Sequence, residues 1–239
     1  VNVVIALFGV FFLGYFLHAL YANLASAEQD ATVKPGPNVF LLQTPLFILS
    51  IFIAAREGYM DRGLISPPFI ALGVLAGHLT FAVSVWITHR NGQDAWKHFT
   101  HIRPVLYFFQ ESPTLIIRFL VISVIEEIIY RAALQPLLIN WSSNPIFAIA
   151  VVAILFSVVH WHFFRNRLPD SLEFLGFSIL LGVLFYYTGN LALVILIHTL
   201  RNLEIVYLEY LVKLDELKDE TSALQYIEQQ YVRQTSEKF

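Results

Sequence analysis

The chain has 239 residues, 57% of them hydrophobic and only 14% charged, with a net charge of −3 and no cysteine. Soluble domains carry about 25% charged residues, so this composition, with a mean hydropathy of +0.63, excludes a water-soluble globule and predicts an integral membrane protein. It also excludes disulfides, thiolate metal sites, a cysteine nucleophile and the basic balance of a nucleic-acid binder.

A bilayer core needs about 20 predominantly apolar residues per helix. The stretch 1–24 meets that length. It has no basic n-region and is too long for a plain signal peptide, so it reads as a first membrane helix. Six more stretches follow at 38–55, 66–88, 114–139, 145–163, 171–188 and 190–212. The breaks between them carry turn and charge signals, among them "NWSSNP", "RNRLPD" and "TGN". The expected fold is an all-α bundle of about seven transmembrane helices. The long break before residue 114 leaves room for an interfacial or eighth helix around 105–109. No internal repeat interrupts the chain. The expected organisation is one transmembrane domain over 1–212, with its motif-bearing core at 114–203, and a helical tail over 213–239.

Lysine and arginine set the expected orientation. With seven spans, ten of them, from Lys34 to Lys238, fall on one side, and only Arg56 and Arg62 on the other. The tail is therefore expected in the cytoplasm and the N-terminus outside. In the tail, Leu211, Leu214, Leu217, Leu224, Ile227 and Tyr231 recur at helical spacing. That stripe predicts a helix packed on the protein's own underside or on lipid headgroups, in preference to a dedicated partner site.

Ionisable groups at membrane depth are costly and usually face the bundle interior. Glu126, Glu127, Tyr130 and Arg131 lie in the fourth span, His160 in the fifth, and His198, Arg201 and Asn202 in the seventh. His162 reads as interfacial, and His18, His78, His89, His98 and His101 as background. At 1.5 Å rise per residue, Glu126 lies about 20 Å below the outer end of its span, His160 about 22 Å, His198 about 12 Å and Asn202 about 18 Å. Three helices thus bring polar groups to overlapping depths.

Residues four apart on a helix share a face, as His198 and Asn202 do, and Glu127 and Arg131. Adjacent Glu126 and Glu127 point about 100° apart and cannot do the same job. The expected division is that Glu127 pairs with Arg131 while Glu126 faces His160. A carboxylate and a histidine around one water can carry out hydrolysis, the carboxylate acting as general base. A second histidine and an asparagine can donate hydrogen bonds to a developing oxyanion. Ser123 and Ser157 have no relay assigned by spacing, so a covalent nucleophile is not indicated. Zinc held by a glutamate, His160 and His198 is the competing reading, although no HExxH is present. A non-catalytic scaffold or immunity protein, and a transporter with Glu126 as proton relay, are further alternatives.

Three short patterns run in order along these helices. "EEIIYR" fits EExxxR with Glu126, Glu127 and Arg131; "FSVVH" fits FxxxH with Phe156 and His160; "HTLRN" fits HxxxN with His198 and Asn202. Together they resemble the CPBP family of intramembrane glutamate proteases, the CAAX prenyl protease type II and bacteriocin-processing (Abi) group. The resemblance covers about residues 114–203, and "YTGNLALVILIHTLRN" looks like the family's prokaryotic branch, which implies a prokaryotic plasma membrane. It implies a metal-free peptidase with Glu126 as the base that activates water and His160 beside it. Glu127 and Arg131 would orient the site, His198 and Asn202 would form the oxyanion hole, and Phe156 would shape the pocket. The implied substrate is a membrane-associated peptide or a lipidated protein.

Overall fold

A computed structural model describes residues 2–28, 40–60, 66–89, 102–160 and 163–238. His98, His101 and His162, with Lys34, Arg62, Arg90 and Lys97, lie outside these residues. Among the described residues the chain is all-α: α1 (Asn2–Glu28), α2 (Phe40–Arg56), α3 (Pro67–His89), α4 (Ile102–Glu111), α5 (Pro113–Glu127), a π-helical stretch (Ile128–Leu134), α6 (Gln135–Ser142), α7 (Pro145–Val158), α8 (Leu168–Thr188), α9 (Leu191–Leu217) and α10 (Glu220–Lys238).

Among the described residues four helical stretches have the length and apolarity to cross a membrane: Asn2–Asn23, Pro67–Ile87, Leu168–Thr188 and Leu191–Leu217. The expectation of seven or eight such spans exceeds this number, for three local reasons. The apolar helices Leu41–Arg56 and Pro145–Val158 are short. At 14 residues, α7 reaches only about 21 Å. The predicted span 114–139 is an unbroken helical run from Pro113 to Ser142, but its middle has π geometry, which divides it into three elements. The helix foreseen around 105–109 exists as α4; its 10 residues cover about 15 Å, half the thickness of a hydrocarbon core. Large apolar side chains stand exposed along the long helices, among them Val10 and Leu17 on α1, Leu75 and Leu79 on α3 and Leu172 on α8. Such surfaces need lipid against them, which supports an integral membrane location.

Capping chemistry sets several ends. Asn144 accepts from the Phe147 amide at 3.1 Å and Pro145 occupies the first turn, so α7 starts there. Gly189 ends α8 with φ of 59°, a left-handed conformation that glycine adopts without strain. One residue later Asn190 caps α9 through the Leu193 amide at 2.9 Å.

The chain divides into two compact units: residues 1–66 with 125–194, and residues 67–124 with 195–238. In the first, the π stretch packs against α2, α1 packs along α2, and α7 packs along α8. Its core holds Phe8, Phe12, Leu46, Ile53, Ile129, Tyr130, Val152, Phe156 and Phe174. In the second, Phe108, Leu115, Phe119, Tyr207 and Tyr210 surround Ala223, Leu224 and Ile227 of α10. Of the tail's apolar stripe, Leu224 and Ile227 are thus buried within their own unit, Leu211, Leu214 and Tyr231 pack partly buried against them, and Leu217 stands exposed. The Tyr231 hydroxyl donates to Glu209 at 3.0 Å; burial first, and then that carboxylate, push its pKa well above the usual range.

Candidate active site

The two glutamates of "EEIIYR" close α5, and the π stretch begins at the next residue. A π turn inserts extra backbone into a helix and recurs at functional sites. All seven of its residues are buried.

Glu127 and Arg131 sit on either side of its first turn. Their side chains are both 0% exposed, with Arg131 Nε 3.4 Å from Glu127 Oε2. The guanidinium continues outward: Nη2 donates to the Ser178 carbonyl at 3.2 Å and to the Ser178 hydroxyl at 3.0 Å, both on α8. It also lies 5.1 Å from the centre of the Phe156 ring, close enough for cation–π attraction. One turn later Gln135 Nε2 donates to the Gly182 carbonyl at 2.9 Å. Arg131 with Ser178 and Gln135 with Gly182 form two rungs of equal sequence separation, so the run 113–142 and α8 lie parallel. Gly182 permits this approach, since a Cβ there would meet Ile149 at 3.0 Å and Gln135 Oε1 at 3.1 Å.

Glu126 points elsewhere. Its Oε1 stands 3.6 Å from His160 Nε2, and the two side chains are 19% and 23% exposed. Unlike Glu127 and Arg131, this pair keeps access to its surroundings. His160 lies just beyond the end of α7, two residues past Val158 and short of the predicted span end at 163. Its Nδ1 is 2.6 Å from the Phe156 carbonyl. A carbonyl can only accept, so Nδ1 carries the proton and the ring caps an open carbonyl at the helix end. That leaves Nε2 to face the carboxylate. At 3.6 Å the two are too far for a direct hydrogen bond and close enough for one water beside them to touch both.

Aromatic rings hold the histidine. Phe156 lies 4.5 Å from it and Phe174 5.0 Å, and the two phenyl rings are 5.6 Å apart. Tyr130 meets Phe156 edge-on at 5.1 Å. Asn23, five residues before the end of α1, donates to the Val159 carbonyl at 2.6 Å, which ties down the turn that carries the ring.

His198 and Asn202 belong to α9 in the second unit, one helical turn apart on a common face. His198 is 2% exposed, and Asn202 is half-buried. Ser123 and Ser157 are buried, and their hydroxyls have no hydrogen-bond partner among the described residues, so neither is joined to a base. Among the described residues no three histidine, cysteine, aspartate or glutamate side chains gather closely enough to hold a metal ion. A catalytic zinc site needs three protein ligands, which disfavours the zinc reading.

Residues 108–203 are similar to a known peptidase family. They match the sequence model of the family described as Type II CAAX prenyl endopeptidase Rce1-like. The match covers less than half of the chain and includes Glu126, Glu127, Arg131, Phe156, His160, His198 and Asn202. No curated protein and no solved structure matches the chain. Helices α1–α3 and α10 lie outside the Rce1-like stretch.

Sequence reasoning missed three contributors. Phe174 and Ser178 gave no signal, since their part depends on which helices pack together. Gln135 did give one: it is a polar side chain in an apolar run, four residues after Arg131. His78, read as background, contacts Glu204, and Glu204 is a carboxylate within "NLEIVYLEY" that was left off the intramembrane list.

Proposed function

We propose that this protein is a metal-free intramembrane endopeptidase that hydrolyses a peptide bond in a membrane-associated or lipidated substrate. The observation that carries the reading is the placement of Glu126 Oε1 3.6 Å from His160 Nε2, inside the stretch similar to the Rce1-like family. Beside it stands a second, fully buried glutamate neutralised by its own arginine. One carboxylate is thus spent on structure and the other is left partly open.

The chemistry runs in two steps. Glu126 takes a proton from a water that His160 Nε2 helps position, and the water oxygen bonds to the scissile carbonyl carbon. The carbonyl electron pair moves onto oxygen, for which the family resemblance implies hydrogen bonds donated by the side chains of His198 and Asn202. As the carbonyl re-forms, the C–N bond breaks and Glu126 returns its proton to the leaving amine. One water is consumed; a carboxylic acid and an amine are released. Glu127 and Arg131 hold the helix rotation that aims Glu126, and Phe156 shapes the pocket beside His160.

In this reading the short helices α2 and α7 and the run 113–142 also cross the bilayer, giving seven spans with the tail in the cytoplasm. The test compares membrane peptides by mass spectrometry between cells carrying the wild type and cells carrying Glu126→Gln. A cleaved species present only with the wild type, and insensitive to 1,10-phenanthroline, is the expected result. Identical profiles would remove the peptidase; loss of cleavage with the chelator would restore zinc.

A further inference from the structure

The second unit contains another carboxylate–imidazole contact at membrane depth. Glu204 on α9 is 4% exposed, and its Oε1 meets His78 Nδ1 on α3. The contact lies on a defined seam. Gly73 and Gly77 of α3 form a GxxxG pair, the small-residue spacing that lets membrane helices approach closely. A Cβ on Gly73 would come within 2.8 Å of Leu196, and one on Gly77 within 2.9 Å of Leu200. Farther along, Phe81 and Val85 pack with Ile205 and Leu208. Leu196, Leu200, Glu204 and Leu208 recur every fourth residue, so α3 grips α9 along one stripe.

Glu204 is the polar member of an otherwise apolar row. Buried carboxylates in a membrane are costly and seldom serve packing alone. His198 and Asn202 interleave with this row at two-residue offsets. Two residues correspond to about 200° of rotation, which puts them about 160° from Leu200 on the opposite face of α9. Whatever fixes the α3-facing side of the helix fixes the direction of the other. Apolar knobs over glycines set the distance between two helices and leave small rotations cheap. A directional polar contact does not.

We infer that His78 and Glu204 are positioning residues: their contact sets the rotation of α9 and thereby the direction in which His198 and Asn202 present their hydrogen-bond donors. This rests on the oxyanion role given to that pair above. His78 and Glu204 themselves touch no reacting atom in this assignment.

The test uses the full-length protein in liposomes. Its probe is a synthetic, fluorophore–quencher copy of the peptide whose cleavage requires Glu126. A misplacement of about 1 Å can cost on the order of 100-fold in rate, so Glu204→Leu should lower kcat by about 10- to 100-fold with KM within about twofold. His78→Phe, at an exposed position, should do the same, while Glu204→Gln, which keeps a polar side chain of the same length against His78, should retain kcat within about threefold. In an Asn202→Ala background the loss from Glu204→Leu should be smaller than in the wild-type background, because one of the two groups being aimed is gone. A merely structural contact would cost the same in both backgrounds, and that result, or full kcat in His78→Phe, overturns the inference. If Glu204→Leu does not accumulate as folded protein, His78→Phe in both backgrounds decides. Absence of any Glu126-dependent cleavage would defeat the peptidase reading itself, whereas Glu126-dependent cleavage indifferent to His78 and Glu204 defeats this inference alone.

Discussion

The buried Glu127–Arg131 pair makes a quantitative prediction. Two unit charges 3.4 Å apart attract by about 5 kcal/mol at an effective dielectric of ~20. Desolvation of each ion costs several kcal/mol, so the intact pair is close to neutral for stability. Removing one partner is different, because it leaves the other charge in a site with 0% exposure. Arg131→Met should therefore destabilise the protein by about 3–5 kcal/mol, and Glu127→Leu by a similar amount. Arg131→Met also frees the Ser178 carbonyl and hydroxyl from their donor. The double variant should cost less than the sum of the two singles, with a coupling of about 2–3 kcal/mol. Equilibrium unfolding of the purified protein in mixed SDS–detergent micelles reads all four corners of the cycle. Strictly additive single effects, or an Arg131→Met cost below about 1 kcal/mol, would refute the buried-pair argument.

Three further outcomes are expected. Glu126→Gln should abolish cleavage yet unfold within about 1 kcal/mol of the wild type in the same micelles, because its side chain is partly open; a large loss of stability would make it a structural residue instead. Gly182→Ala should cost about 1–3 kcal/mol through overpacking against Ile149 and Gln135, and a neutral result would show that the α7–α8 contact is looser than the 3.0 Å approach implies. Asp219 accepts from the Ser222 amide at 2.8 Å at the start of α10, and hydrogen bonds from Ser222, side chain and then backbone, hold its carboxyl below the usual range. A depressed folded pKa stabilises the cap above the unfolded value near 3.9, and the contribution is lost as pH falls through the folded value. The protection factor of the Ser222 amide, its exchange corrected for the intrinsic pH dependence, should fall in Asp219→Ala at neutral pH and in the wild type on acidification; protection equal to the wild type's in Asp219→Ala would show that the cap is not formed.

The division of labour between the two glutamates was legible from a single number, the 100° between neighbours on a helix. It follows from backbone geometry, and the structure pairs Glu127 with Arg131 and Glu126 with His160. The helix ends at Asn144, Gly189 and Asn190 were legible for a similar reason, since side-chain capping is local chemistry. The π stretch at 128–134 was not. Its residues are ordinary helix formers, and nothing in their pattern marks the wider turns. The early end of α7 was hidden too, because "FSVVHWHFF" continues apolar past Val158 while His160 folds back onto the Phe156 carbonyl. Composition reports what a segment dissolves in; where a helix stops within that solvent depends on which polar atoms find partners. The same limit left His78 and Glu204 apart on the page, 126 positions from one another in sequence.

The two rungs from Arg131 and Gln135 to α8 also bear on how the chain assembles. Apolar helices in lipid can slide past one another by a turn and find nearly equivalent contacts. Here a one-turn slip would set Arg131 against Gly182, which offers no side-chain acceptor, and Gln135 against Tyr186. Arg131 would lose the Ser178 hydroxyl, and Gln135 would meet the Tyr186 side chain in place of the space that Gly182 leaves. The pair therefore works as a register lock: it discriminates between alignments that hydrophobic packing alone would tolerate, and during insertion it gives these helices a single depth at which both stop.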